Sequence, residues 1–320
     1  MRLLFVIDPF EQLNPAKDSS LAMMREASQR GHQLWVAQLQ DLLLQQDQLS
    51  IQASELKFTA PHNSQVQHTG QFSQLGLAQL MPATAFDVIL MRKDPPFDNE
   101  YLYATHLLEL AQLQGVKVVN HPAMLRDWNE KLAVAHFADL APPFMVSKSA
   151  QMIRQFLQQQ QDIVLKPLDG MGGSSVFRLS QQDVNLSVII ETMTQHGTRS
   201  VMAQRYLPEI VQGDKRILLI DGEAAPYCLA RIPQAGETRA NLAAGGRGEA
   251  RPLTERDRQI AQRVGAYAKQ QGLLLVGLDV IGDYLTEINV TSPTCMVEIA
   301  AQTDCNPAAM MVNALERLCG

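Results

Sequence analysis

The sequence predicts an α/β N-terminal region, built on a Rossmann-like parallel sheet, followed by an α+β region of antiparallel sheet and helices. Three observations predict this. Up to about residue 122, short apolar runs alternate with helical patterns, as they do in a parallel sheet with helical crossovers. Beyond His121-Pro122, short strands crowd together with few helices between them. The chain has 320 residues, room for about two domains at ~100–200 residues each.

The elements follow in order. Leu3–Ile7 is a continuous apolar strand that ends at Asp8-Pro9. Ser19–Arg30 is an amphipathic helix with Leu21, Met24 and Ala27 on one face. Asp18 or Ser19 can cap its start and Gly31 its end. Leu34–Ala37 is the next strand. Residues 45–75 are Gln-rich and weakly patterned, with room for an edge hairpin. Phe86–Met91 is a buried strand that stops at Arg92-Lys93-Asp94. Tyr101–Leu113 is a helix closed by Gly115, and Val116–Val119 a further strand. Ligands on such sheets bind beyond the strand C-termini, where Asp8-Pro9 and Arg92-Lys93-Asp94 fall. A helix over Asn129–Asp139 follows. Strands are then expected at Phe144–Val146, Ile163–Pro167, Ser175–Arg178, Ser200–Gln204, Lys215–Asp221 and Ala225–Arg231. Helices at Ala150–Gln160 and Leu186–His196 interrupt them. A long loop, Ile232–Gly248, precedes a helix at Thr254–Gln271. Leu274–Ile281 and Leu285–Val290 pair around Gly282-Asp283, and a helix at Pro307–Leu318 closes the chain.

Composition narrows the function. The net charge is −6 and the isoelectric point near 5.7, which argues against a protein that grips nucleic acid. No apolar run approaches the ~20 residues that span a bilayer, and MRLLFVIDPF is too short for a signal peptide. Neither a nucleic acid nor a membrane partner is expected. The four cysteines, Cys228, Cys295, Cys305 and Cys319, form no CxxC pair. They read as reduced thiols of a cytoplasmic protein.

Four stretches can carry chemistry. In Asp162–Ser174 a strand delivers Lys166 and a glycine-rich turn follows at once. Glycines there let backbone N–H groups converge on phosphate oxygens; the alternative is a hairpin turn with a surface lysine. Ile232–Gly248 contains four glycines with Arg239, Asn241 and Arg247. A loop of that length suits a lid over an anionic reactant, or a solvated loop. Asp279, Glu287 and Asn289 interrupt two apolar strands. Glu287 and Asn289 share a face, and an all-oxygen set suits Mg²⁺; the alternative is the polar face of an edge strand. Gln204–Leu207 with Asp214 can read an adenine edge and a ribose, and Arg216 can stabilise a transferred phosphoryl group. Lys215 reads as a solvated charge.

Taken jointly, these stretches resemble the ATP-grasp ligases, and within them the bacterial glutathione synthetases. The resemblance rests on MRKDPPFD (Met91–Asp98), NEKL (Asn129–Leu132), LKPLDGMGGSS (Leu165–Ser175), GDKRILLIDGE (Gly213–Glu223), CLARIPQ (Cys228–Gln234), NLAAGGRGE (Asn241–Glu249) and LTEINVTSPT (Leu285–Thr294). It implies a Rossmann-like N-terminal substrate domain over residues 1–122, then a two-sub-domain ATP-grasp fold. The central sub-domain would cover 123–203, and the C-terminal one, with lid 232–248, would cover 204–320.

The resemblance also implies roles. Lys131 and Lys166 would meet the nucleotide phosphates under a small loop containing Gly170, Gly172, Gly173 and Ser174. Gln204, Tyr206 and Leu207 would form the adenine hinge, Asp214 would hold the ribose, and Asn289 would also face ATP. Asp279, Glu287 and Asn289 would bind Mg²⁺ or Mn²⁺. Arg216, Arg231 and Arg239 would act at the reacting groups, and Asp18, Ser19, Ser20, Arg92 and Arg247 would hold the peptide substrate. The implied reaction joins glycine to γ-glutamylcysteine with ATP as co-substrate, through an acyl phosphate. The implied assembly is a homo-oligomer, with a tetramer expected. Two other readings are open on this fold: a D-alanine–D-alanine-type or glutamate-adding ligase, and an ATP-binding regulatory module like the synapsins.

Overall fold

The computed structural model describes residues 1–59, 68–170, 173–234 and 245–320. The first sheet holds β1 (Arg2–Val6), β2 (Gln33–Ala37), β3 (Leu42–Gln45), β4 (Gln48–Phe58), β5 (Ser73–Leu75), β6 (Gln79–Pro82), β7 (Val88–Met91) and β8 (Lys117–Val119), with main order β3-β4-β2-β1-β7-β8. The four strands β2, β1, β7 and β8 are parallel, as the alternation predicted. Leu3, Leu4, Phe5 and Val6 are all fully buried. A strand covered on both faces needs a continuous apolar run rather than an alternating one. Each such side chain contributes roughly 1.5–3 kcal/mol by leaving water. Helices α1 (Ser19–Gln29), α2 (Asn99–Leu113) and α3 (Pro122–Asp127) complete this region. Asp18 caps α1 by accepting from the Leu21 N–H at 2.7 Å.

The second sheet is antiparallel, in the order β11-β10-β12-β9. It comprises β9 (Phe144–Ser147), β10 (Asp162–Pro167), β11 (Phe177–Ser180) and β12 (Val201–Arg205), with α4 (Ala150–Gln160) and α5 (Leu186–Met193) on one side. Ile153, Leu157, Ile163, Leu165 and Ile190 form its core. The third sheet holds β13 (Asp214–Ile220), β14 (Glu223–Ala224), β15 (Tyr227–Ile232), β16 (Arg247–Pro252), β17 (Leu275–Ile281) and β18 (Tyr284–Asn289), also antiparallel. Helices α6 (Glu255–Gln270), α7 (Met296–Gln302) and α8 (Pro307–Cys319) pack around it.

Several elements differ from expectation. Asn129–Asp139 is not an α-helix; only Leu132–Phe137 winds, as a 3-10 turn. The Gln-rich segment does hold the edge hairpin it had room for, β4 pairing antiparallel with β3 and β5, but β4 runs eleven residues and its Leu49, Ile51 and Ala53 alternate into the core, a period of two that glutamine composition masked. The strand expected from Ser175 starts only at Phe177. Arg247 and Gly248, expected at the end of the loop, belong to β16 and pair with Ile232 and Arg231. Lys215 is not a solvated charge: its Nζ donates to the fully buried Asp257 and to Gly282 O.

The regions interlock. After β8, the Asn120 side chain reaches the third sheet. It donates to Leu275 O and Val290 O, both at 2.7 Å, and accepts from the Leu275 N–H at 2.9 Å. The C-terminal helix α8 returns to α1, where Arg30 donates to Asn313 Oδ1 at 2.5 Å and pairs with Glu316 at 3.1 Å. The chain terminus is thereby held against the first region.

Candidate active site

A cleft opens between the second and third sheets, and strand alternation decides which side chains reach it. Ile163 and Leu165 of β10 turn to the core, so Val164 and Lys166 face the cleft. Gln204 lies opposite Val164 on β12 and joins that face. Lys166 is buried, and its Nζ donates to Gln204 Oε1 at 3.0 Å. Burial lowers the Lys166 pKa, opposed by the charge of Glu287. The second lysine, Lys131, donates to Gly170 O at 2.6 Å and pairs with Glu287 at 3.2 Å. Two ammonium groups thus face the cleft within reach of one carboxylate.

The glycine turn has a steric reason. A Cβ on Gly170 would stand 2.6 Å from Pro167 Cγ, so no larger residue fits beneath the turn without movement. Gly173 holds a positive φ of 79°, which glycine adopts freely. Ser174 lines the same cleft. Gly172 lies outside the described residues. Tyr206 and Leu207 follow β12 at the cleft edge. The Arg178 guanidinium lies 3.9 Å from the Tyr206 ring centroid and pairs with Asp162.

The third sheet supplies the floor. Arg216 and Asp279 are register partners on β13 and β17, and Asp279 faces Glu287 on β18. Cross-strand partners share a face, so one row carries a cation and two carboxylates. Arg216 Nε donates to Asp279 Oδ1 at 2.6 Å. Arg231 pairs with the same oxygen at 2.9 Å and with Asp214 at 2.5 Å. The chain Arg216–Asp279–Arg231–Asp214 is therefore continuous. Burial disfavours the Asp279 carboxylate, yet Arg216 and Arg231 outweigh it and hold its pKa well below the usual range. Asp214 goes the other way: burial, opposed by Arg231, pushes it up to about 6.

Two buried polar atoms on this surface have no hydrogen-bond partner among the described residues: Gln204 Nε2 and Asp214 Oδ1. Unsatisfied buried groups are costly. One donor and one acceptor at the same cleft suit a polar ligand such as a nucleotide. Asp279, Glu287 and Asn289 present only oxygen and amide donors, a set that suits a hard divalent cation. Among the described residues no cluster of three or more His, Cys, Asp and Glu converges; this row, two carboxylates and an amide, is the candidate cation site on the chemistry of its donors alone.

A second cluster adjoins the floor. Arg92 is buried; its Nε donates to Ser20 Oγ at 3.0 Å and Nη2 to Pro293 O at 2.9 Å. Its Nη1 is buried with no partner among the described residues. Ser19 Oγ accepts from the Met296 N–H at 3.2 Å. Burial raises the Asp18 pKa, offset by the Leu21 N–H and the nearby Arg92. The expected substrate group Asp18, Ser19, Ser20 and Arg92 is thus assembled around the segment after β18. Arg247 is not part of it. Its guanidinium is exposed and pairs with Glu249 at 3.2 Å. Arg239 lies outside the described residues.

Sequence reasoning missed Glu130 and Arg178 as parts of the cleft wall. Glu130 Oε1 accepts from Val290 N, Thr291 N and Thr291 Oγ1 at 2.9, 3.1 and 2.8 Å, anchoring the end of β18. Burial, and then Glu287, raises its pKa. Its adjacency to Lys131 was the only available signal; Arg178 had none.

The fold is that of an ATP-grasp enzyme. Along essentially its whole length it superposes on D-cycloserine synthetase DcsG, with TM-score 0.68 at 15% identity and 100% of each chain covered. It also superposes on the ATP-grasp ligase PsnB, with TM-score 0.62 at 17% identity, covering 99% of this chain and 98% of that one. Residues 1–126 match the family profile described as the prokaryotic glutathione synthetase N-terminal domain, and residues 130–304 its ATP-grasp domain. The glutathione synthetase of Nitrosomonas europaea is 53% identical, covering 99% of this chain and 98% of that one. The enzyme of Escherichia coli K12 is 52% identical over the same shares. The chain belongs to the prokaryotic glutathione synthetase family. It is an ATP-dependent ligase of glutathione synthesis, which sets aside the D-alanine-type and synapsin-like readings.

Proposed function

We propose that the cleft phosphorylates the cysteinyl carboxylate of γ-glutamylcysteine with ATP and then passes the acyl group to the amine of glycine. The observation that carries this is the Arg216–Asp279–Arg231–Asp214 chain on the cleft floor, with Lys131 and Lys166 above it. A carboxylate is a poor electrophile and its mixed anhydride with phosphate a good one. Making that anhydride brings several negative oxygens together, and fixed cations in a dry cleft offset that charge. Lys131, Lys166 and the Gly170–Ser174 turn bind the phosphates. Gln204, Tyr206 and Leu207 hold the base, and Asp214 the ribose. Arg216 and Arg231 orient the reacting carboxylate, and Arg92 with Asp18, Ser19 and Ser20 holds the rest of the dipeptide. Asp279, Glu287 and Asn289 would hold Mg²⁺ or Mn²⁺, which when bound supplies further positive charge to the phosphate oxygens. A carboxylate oxygen attacks the γ-phosphorus and ADP leaves; the glycine amine then attacks the acyl carbon, the C–N bond forms, phosphate leaves with the C–O electron pair, and the proton lost from nitrogen passes to the departing phosphate. Excluding water protects the anhydride from hydrolysis, the role we assign to the segment 232–248 with Arg239.

We place the enzyme in the cytoplasm as a homo-oligomer, a tetramer by family resemblance. No helix among the described residues is long and apolar enough to cross a membrane. The test of the reaction is phosphate release with ATP, γ-glutamylcysteine and glycine, omitting each in turn, and with D-alanine in their place. Release that needs both peptide and glycine supports the proposal; release with D-alanine alone overturns it.

A further inference from the structure

Gly277 lies in the middle of β17, two residues before Asp279 and opposite Asn289 on β18. Strand periodicity puts residues 277 and 279 on the same face. That face carries Arg216, Asp279, Glu287 and Asn289. A Cβ built on Gly277 would stand 3.0 Å from Arg216 Cδ, 3.3 Å from Arg216 Nε and 2.8 Å from Pro293 Cβ. The empty volume over Gly277 is therefore the berth through which Arg216 passes to reach Asp279. The φ of Gly277 is not in the left-handed region, so no backbone conformation demands glycine here. Asn289 Nδ2 donates to Gly277 O at 3.2 Å, which fixes the amide so that its Oδ1 is the atom left for a ligand. The missing side chain therefore bears on Arg216, while the carbonyl that holds Asn289 is one any residue at 277 would present.

We propose that Gly277 is a positioning residue for ligation, acting through Arg216: the missing side chain seats the guanidinium against Asp279. This rests on the reading of Arg216 as a group at the reacting carboxylate. An alanine at 277 leaves the strand intact and, with Pro293 Cβ at 2.8 Å on the other side, requires the Arg216 side chain to give by a few tenths of an ångström against Asp279.

The experiment is a double-mutant cycle with Gly277→Ala and Arg216→Ala, measuring kcat and KM for each substrate with thermal unfolding in parallel. Gly277→Ala is expected to lower kcat at least tenfold, with the KM for ATP changed less than twofold. In the Arg216→Ala background it is expected to add less than a twofold further loss. A loss that multiplies in full onto Arg216→Ala overturns the proposal, because Gly277 would then act independently of the arginine. So does a Gly277→Ala enzyme of wild-type kcat. If Gly277→Ala alone does not fold, it is made in the Pro293→Gly background, which removes the closest contact; with the other side open, Gly277→Ala is then expected to cost less than twofold in kcat relative to Pro293→Gly, and an undiminished tenfold loss overturns the proposal. An Arg216→Ala enzyme with wild-type turnover would instead sink the assignment of Arg216, a distinguishable failure.

Discussion

Arg216 and Asp279 face each other across one rung of the third sheet, joined by a 2.6 Å hydrogen bond between buried groups. Asp279 in turn holds Arg231, so one carboxylate organises two guanidinium groups on the cleft floor. Removing one partner of a buried pair leaves an uncompensated charge and costs about 3–5 kcal/mol. Asp279→Asn is expected to lose stability on that scale and to abolish turnover. Urea unfolding with unchanged m-value and an activity assay check both.

The same carboxylate sets a pH dependence. Its folded pKa lies below the unfolded value of 3.8, so its contribution to stability is complete above about pH 4 and is lost as pH falls through the folded pKa. Wild type should therefore lose more stability than Asp279→Asn between pH 4 and pH 2, read from melting temperatures across that range.

Asp214 carries the opposite sign. Its folded pKa of about 6 lies above the unfolded 3.8, so the folded state takes up a proton between those values. Stability falls as pH rises from about 4 to about 6, and Asp214→Asn should not show that fall. Because the two acids interact, the double variant should flatten both slopes together. Melting temperature against pH for the single and double variants checks this.

Lys166 has Gln204 and Thr286 O as its hydrogen-bond partners and leaves the Gln204 amide nitrogen without a partner among the described residues. Hydrogen bonds to charged groups contribute about 1.5–3 kcal/mol. Lys166→Met should weaken binding of a non-hydrolysable ATP analogue roughly 10–100-fold while the protein stays folded. Calorimetric titration gives the affinity; unchanged binding would remove Lys166 from the phosphate site.

Asn120 ties the first sheet to β17, at Leu275, and to Val290, the residue that follows β18. Asn120→Leu strands two carbonyls and one N–H in the interior, each at roughly 1–3 kcal/mol. Chemical unfolding should report a loss of several kcal/mol, far more than a surface change would give.

Much of this was legible in the sequence because the physics is local. The fully buried strand β1 must be continuously apolar, and a lysine ending a strand before a glycine turn announces itself. Asp279, Glu287 and Asn289 stood out because polar groups break apolar strands. What was not legible depends on contacts far apart in the chain. Asn120 directly follows a short strand and shows no other signal in the sequence, yet its partners lie 155 and 170 positions away. Lys215 looked like any surface charge until Asp257 of α6 came to cover it. The space over Gly277 belongs to Arg216 and Pro293, neither of them a chain neighbour. Strand β4 was hidden by composition, since its glutamines and serines obscured the alternation of Leu49, Ile51 and Ala53.

The central claim is that the peptide carboxylate becomes an acyl phosphate in this cleft. The most direct test labels both oxygens of the cysteinyl carboxylate of γ-glutamylcysteine with ¹⁸O and follows the label during turnover with ATP and glycine. One labelled oxygen should appear in each inorganic phosphate released, with the other retained in the amide carbonyl of the product. Inorganic phosphate free of label, with glutathione still formed, would contradict the account.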